Sequence, residues 1–166
     1  MNGRRTLLCS IVALFVLPVL AEQHVEHDSS IDFGKYRTYA YRKGTPAARP
    51  EVQQWIEAAI DHELAADGLK RIDGGADLYV KTYAYAETGI AQGLTFAYDP
   101  AWDVGVVMLD TRGITTGTLI IDLQDAESGA TVWRGQASKA IAADTNKAKK
   151  KIDGLTRKMF KDYPPR

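Results

Sequence analysis

Histidine in third place behind a free amine can chelate a metal without any folded pocket. If a signal peptidase cuts after Ala21, the chain begins Glu22-Gln23-His24. The amine, two ionised backbone amides and the imidazole then form a square-planar nitrogen set suited to Cu(II) or Ni(II). Ionising the amides releases protons, so such binding depends on pH; His27 and Asp28 would add weak contacts. A second chemistry is acid/base catalysis by paired carboxylates, for which Asp99, Asp103, Asp110 and Asp122 are the candidates. Asp99 and Asp103 equally suit turns, and Asp122 suits the solvent face of a hairpin. A third is recognition by aromatic surface. Tyr79, Tyr83 and Tyr85 alternate along one strand, and Tyr98, Trp102 and Trp133 are placed to join them. His62-Glu63 lies on a helix with no second histidine at zinc-binding spacing. The sequence has no Gly-x-Ser-x-Gly elbow and no phosphate-cradling glycine loop.

The compartment is written at the start of the chain. Arg4 and Arg5 precede an apolar run from Leu7 to Leu20, which exits through Val19-Leu20-Ala21. A positive start, an apolar centre and small residues at the exit describe a cleavable signal peptide over residues 1–21, and hence export to the periplasm or envelope. Cys9, the single cysteine of the 166 residues, lies early in the apolar run behind Leu7-Leu8, not at its end where a lipid-accepting cysteine belongs. Lipid anchorage is therefore doubtful, and the processed chain has no thiol or disulfide chemistry. The 21 basic and 21 acidic residues balance, and losing Arg4 and Arg5 leaves a slight acidic excess. That argues against nucleic acid as a partner.

Positioning any of these groups falls to one domain over residues 32–166, preceded by a polar, flexible lead-in over 22–31. Phe33 to Tyr41 favours a strand. Pro50 at a first turn, then Val52, Trp55, Ile56, Ala59, Ile60 and Leu64, describe an amphipathic helix ending at Gly68. Leu69 to Ile72 suits a short edge strand. Leu78 to Ala86 alternates with period two. Two further strands, Leu94 to Tyr98 and Val104 to Leu109, flank Asp99-Pro100. Thr118 to Gln124 and Thr131 to Ile141 form a hairpin around Asp125 to Gly129. A last helix carries Ala148, Ile152, Leu155, Met159 and Tyr163 on one stripe, with Lys147, Lys149, Lys150, Lys151, Arg157, Lys158 and Lys161 spread around it. The expected fold is α+β, an antiparallel sheet with both helices on one face. Its core would hold Trp55, Ile56, Ile60, Leu64, Val80, Leu119, Ile121, Ile152, Leu155 and Met159.

Five segments occur together: Asp32-Phe33-Gly34-Lys35-Tyr36-Arg37-Thr38-Tyr39, Ala76-Asp77-Leu78-Tyr79-Val80, Gly117-Thr118-Leu119-Ile120-Ile121-Asp122-Leu123, Val132-Trp133-Arg134-Gly135 and Phe160 to Pro165. In this order they resemble the bacterial envelope family known as domain of unknown function 4136. The resemblance implies an exported α+β domain, often a lipoprotein, with no established reaction and no catalytic residue to carry over. The reading that follows is a non-catalytic envelope domain that binds a periplasmic or envelope protein or glycan through its sheet face, at Tyr79, Tyr83, Tyr85 and Trp133. A hydrolase built on surface carboxylates and N-terminal Cu(II) or Ni(II) binding at Glu22, Gln23 and His24 are the alternatives.

Overall fold

The computed structural model describes residues 23–99, 104–141 and 145–164, so the expected signal segment lies outside them. In chain order the elements are β1 (Gln23–His27), a 3-10 turn (Phe33–Lys35), β2 (Thr38–Tyr41), α1 (Pro50–Ala66), β3 (Lys70–Arg71), β4 (Leu78–Asp99), β5 (Val104–Asp125), β6 (Thr131–Ala140) and α2 (Thr145–Phe160). The six strands make one sheet in the order β1-β6-β5-β4-β2-β3.

Local sequence explains most of these boundaries. Asp32 accepts a hydrogen bond from the Gly34 N–H and so nucleates the 3-10 turn. The strand expected from Phe33 is thereby shortened to Thr38–Tyr41. Pro50, which has no N–H to satisfy, opens α1. Gly68, at φ 86°, follows the helix in the left-handed conformation that a side chain would resist.

The sheet is mixed rather than antiparallel throughout. β2 pairs in parallel with both β3 and β4, while β4–β5, β5–β6 and β1–β6 are antiparallel. The reason is α1: a helix that crosses back over the sheet returns the chain to its starting end, so the strands that follow run alongside β2. The polar lead-in also proves to be partly structured. Gln23–His27 forms an edge strand on β6, with Gln23 opposite Ala137 and His27 opposite Trp133.

The core fills one face of the sheet. Leu78 and Val80 of β4, Leu119, Ile121 and Leu123 of β5, and Trp133 and Ala137 of β6 point at the helices. Ile56, Ile60 and Leu64 of α1 and Met159 and Phe160 of α2 cover them. Both helices lie on this face, as their apolar stripes require. Of the core residues expected, Trp55, Ile152 and Leu155 are half-buried and the other seven are buried; Ile152 and Leu155 line a cavity on the helix side. The tightest packing is aromatic. Trp133 lies 4.6 Å from Phe160 between ring centroids, and Tyr163 meets both rings edge-on.

β4 and β5 are each 22 residues long, so the short strands expected at 94–98 and 104–109 are the far end of one continuous hairpin. β5 pairs with β6 only between Thr116 and Gln124. Beyond that point, residues 87–99 pair with residues 104–116 and no third described strand joins them. A two-stranded arm therefore extends from the sheet, roughly 40 Å long at about 3.3 Å per residue.

Gly135 tests this packing. A β-carbon there would lie 2.6 Å from the Trp133 ring and 3.1 Å from the Met159 sulfur. Gly135→Ala should cost about 1–3 kcal/mol by urea denaturation, the usual penalty for overpacking. Gly74→Ala, with nothing within 4 Å, should stay within about 0.5 kcal/mol of the parent chain.

Candidate functional site

With both helices on one face, no described element covers the other. Strand alternation places Tyr79, Lys81, Tyr83 and Tyr85 of β4 on this open face, opposite Gln124, Asp122, Ile120 and Thr118 of β5. Arg134 and Gln136 of β6 continue the rows, and Glu26 and His24 of β1 complete them.

The centre of the face is an ion pair. The Arg134 Nε and Nη2 donate to the two Asp122 carboxylate oxygens at 2.6 Å each. This fork-on-fork geometry fixes the guanidinium flat against the sheet. Asp122 is buried beneath it, while the Arg134 side chain remains 45% exposed. The carboxylate holds Arg134 further toward its charged form. Asp122 is thus a buried anchor, not the exposed acid suggested by its place on a hairpin.

The tyrosines differ in availability. The Arg42 guanidinium stacks 4.0 Å over the Tyr79 ring and occupies its face. Tyr83 is half-buried, and Tyr85 is 48% exposed at the root of the arm. Trp133, expected beside them, sits on the opposite face and is 1% exposed. The odd positions of β6 point to the helices, so its indole belongs to the core. Its neighbour Arg134, which the sequence reading passed over as a site residue, takes the open-face position. The signal for it was present: Asp122 and Arg134 lie across from each other in the expected hairpin, each on its outward face.

The other candidates separate in space. The side chains of Tyr98, Asp99, Trp102, Asp103 and Asp110 lie outside those described. Gln23 and His24 belong to β1, and the His24 ring contacts Glu26 at 2.7 Å. Wrapping their amides around a square-planar ion requires this end of β1 to leave β6. Among the described residues no three histidine, cysteine or acidic side chains gather as a metal site. His62 and Glu63 line a small cavity of about 250 Å³ between the helices, with Lys149, Asp153 and Arg157. There Lys149 bridges Asp153 at 2.9 Å and Arg157 approaches Glu63 at 3.9 Å, a charged helix seam. A larger cavity of about 470 Å³ on the helix side has no acidic or histidine side chain in its lining. The two carboxylates that share the small cavity, Glu63 and Asp153, each face a cation, and the larger cavity has none.

The most perturbed carboxylate is structural. Asp125 accepts hydrogen bonds from the Ser128 N–H, Lys35 Nζ, Tyr36 hydroxyl, Ser128 hydroxyl and Glu127 N–H. It ties the β5–β6 turn to the 3-10 turn, and these donors, the Ser128 N–H first, hold its pKa far below the usual carboxylate range. Asp77 does the same for β2, accepting from the Arg37 and Thr38 N–H groups and the Thr38 hydroxyl at 2.9 Å.

The segments that suggested a family include those that close the fold. The chain belongs to the family described as Domain of unknown function (DUF4136), over residues 23–165. No curated protein matches it. Among solved structures it is similar to a PDZ domain protein from Parabacteroides distasonis, with a TM-score of 0.58 and 16% identity. That match covers 88% of this chain but 36% of the other, so the chain spans about a third of that protein's length. It is also similar to PelC from Paraburkholderia phytofirmans, solved as a dodecamer. There the TM-score is 0.55 and the identity 11%, over 85% of this chain and 95% of PelC. At these identities the likeness is one of fold.

Asp125→Asn offers a pH test of the structural reading. The folded pKa is depressed, so the stabilisation is complete above the unfolded value near pH 4 and is lost as pH falls through the lower range. The variant should be less stable by about 1.5–3 kcal/mol at pH 7. The gap should narrow progressively in urea titrations taken below about pH 4.

Proposed function

We propose that this DUF4136 domain is a non-catalytic binding module of the cell envelope, which recognises a protein or glycan through the open face of its sheet. The observation that carries this reading is the uncovered face itself. A rigid, half-exposed guanidinium is held by a buried carboxylate, with Tyr83 in the next cross-strand row and Tyr85 one row further toward the arm. Tyrosine rings provide apolar surface with a polar edge, and a fixed guanidinium adds directional donors. Both suit sugars and peptide backbones alike. The family description names no reaction, and Asp77, Asp122 and Asp125 are engaged in structural contacts.

The signal-like residues 1–21 support the envelope assignment, and the position of Cys9 early in the apolar run argues against a lipid anchor there. The dodecameric state of PelC is a precedent for assembly on this fold, and assembly of the present chain would multiply a weak single-face affinity.

The test compares the processed domain with a Tyr83→Ser/Tyr85→Ser variant and an Arg134→Ala variant, each checked for native circular dichroism. Capture of envelope proteins and binding to an array of bacterial glycans should fall about tenfold or more in both variants, a loss of about 1.4 kcal/mol. Unchanged capture by folded variants would remove the sheet face from consideration. Turnover of ester, peptide or glycoside substrates by the parent chain would overturn the non-catalytic reading.

A further inference from the structure

The larger cavity lies on the other side of the sheet and is built unlike the open face. Its walls are Val52 and Ile56 of α1, Ile152 and Leu155 of α2, and Leu119 of β5. Alanines hollow it out: Ala84 on β4, Ala137 on β6 and Ala148 on α2, with Gly117 beneath Ile141. Its volume of about 470 Å³ falls within the roughly 300–1,000 Å³ of small-molecule sites. Apart from the Tyr85 and Thr118 hydroxyls the walls are apolar, too few polar groups for the many hydroxyls of a sugar, so the matching body is a hydrocarbon chain.

The rim specifies the head of that ligand. Arg49, Lys139 and Lys151 are the charged residues of the lining, and no acid stands among them. Lys151 is held in place by donating to the Ala140 carbonyl at 2.8 Å. Arg49 reaches Glu51 at 3.2 Å, which lies outside the lining. Backbone dipoles add to these charges. β4 and β6 run the same way toward the arm, and each helix runs back against them. Both helices therefore start at the arm end of the sheet, where the cavity opens. α1 begins at Pro50 behind Arg49 with no side-chain cap; the Val52 and Gln53 N–H groups donate to the Arg49 carbonyl, and the Glu51 N–H is left for an outside acceptor. Two positive helix ends and three basic side chains around an apolar hollow form a field complementary to one negative head.

We propose that this cavity is a binding site for an anionic amphiphile carrying a single aliphatic chain, a fatty acid or the acyl chain and acidic head of a phospholipid. The chain lies between α1, α2 and the sheet, and the acid group rests among Arg49, Lys139 and Lys151. This site shares Tyr85 with the sheet-face reading, so Tyr83, which is not part of the cavity lining, is the residue that distinguishes the two.

The experiment uses the delipidated processed domain and cis-parinaric acid as a fluorescent probe, displaced by palmitate, by cetyl alcohol of the same chain length, or by vesicles of phosphatidylglycerol. Saturable binding displaced by palmitate is the expected result. Displacement by the vesicles as well would assign the phospholipid source, and displacement by palmitate alone the free acid. Ala148→Phe, and separately Ala84→Leu, fill the hollow and should weaken probe binding about tenfold or more while circular dichroism stays native. Arg49→Glu/Lys139→Glu should weaken palmitate by a similar factor and leave cetyl alcohol unchanged. Tyr83→Ser, on the opposite face, should bind the probe like the parent chain. No saturable binding, or filled variants that bind as well as the parent, would overturn the site. Equal palmitate affinity in the charge-reversed variant would overturn the anionic head. If the parent chain sediments as an oligomer that Ala148→Phe dissociates, the hollow is filled by a second copy and the ligand assignment fails.

Discussion

The constraint on which this structure depends is one-sided burial. A six-stranded sheet has two faces, and the chain supplies its two helices to one of them. The strands must then alternate between residues that meet the helices and residues that do not. On β4 and β5 the alternation is strict: Leu78, Val80, Leu119, Ile121 and Leu123 face inward, and Tyr79, Lys81, Tyr83, Ile120 and Asp122 face outward. An outward face that was merely solvated would need no fixed geometry. This one contains a carboxylate driven to near-complete burial by the guanidinium above it. Removing either partner of such a pair leaves a charge unsatisfied, so the pair sets the register of β5 against β6 as well as the chemistry of the surface.

The residues that mark the family turn out to hold the ends of the chain to the sheet. Asp32 starts the 3-10 turn; Phe33 and Tyr36 enter the core from it. Tyr36 and Lys35 reach Asp125 in the β5–β6 turn, about ninety residues away in sequence. Thr38 and Asp77 bind each other through both side chain and backbone. Tyr39 donates to Asp61 on α1 at 2.8 Å, and Trp133, Phe160 and Tyr163 pack as one aromatic group. These contacts are long-range and polar at their tips, so each must persist if the fold is to close. The same segments also contain Tyr79, Asp122 and Arg134 of the open face and Gly117 and Leu119 of the larger cavity, so the marks of the family fall on scaffold and candidate surfaces alike.

This explains what could be seen in the sequence. The helices were legible because Val52, Ile56, Ile60 and Leu64 recur at helical spacing, and the 118–141 hairpin because apolar residues alternate around a turn containing Gly129. The parallel pairing of β2 and β4 was less visible, since it depends on where α1 returns the chain and not on any local pattern. The edge strand Gln23–His27 was missed because its residues are polar and its order comes from β6, not from burial. Trp133 was misplaced by one residue of register: in a strand that single step exchanges faces, and it put Arg134 where the indole was expected. The larger cavity left no mark at all. It is produced by what is absent from side chains such as Ala84, Ala137 and Ala148, and an alanine in a strand or helix reads as ordinary.

That absence is unevenly distributed, and the unevenness is informative. At the end of the sheet near Asp125 the space between layers is filled by Phe33, Tyr36, Trp133, Phe160 and Tyr163, the largest side chains available. At the arm end the same space is bounded by alanines and a glycine. A void forfeits dispersion contacts along its whole lining, and replacing any one of these small residues by a larger apolar one would recover some of them. The two halves of the core have the same strands above and the same helices below, so topology does not dictate the difference. Only residue size does. A chain that packs one end of a continuous core with aromatic rings and leaves the other hollow, beneath a basic rim and two helix starts, has the form of a scaffold at one end and a receptor at the other.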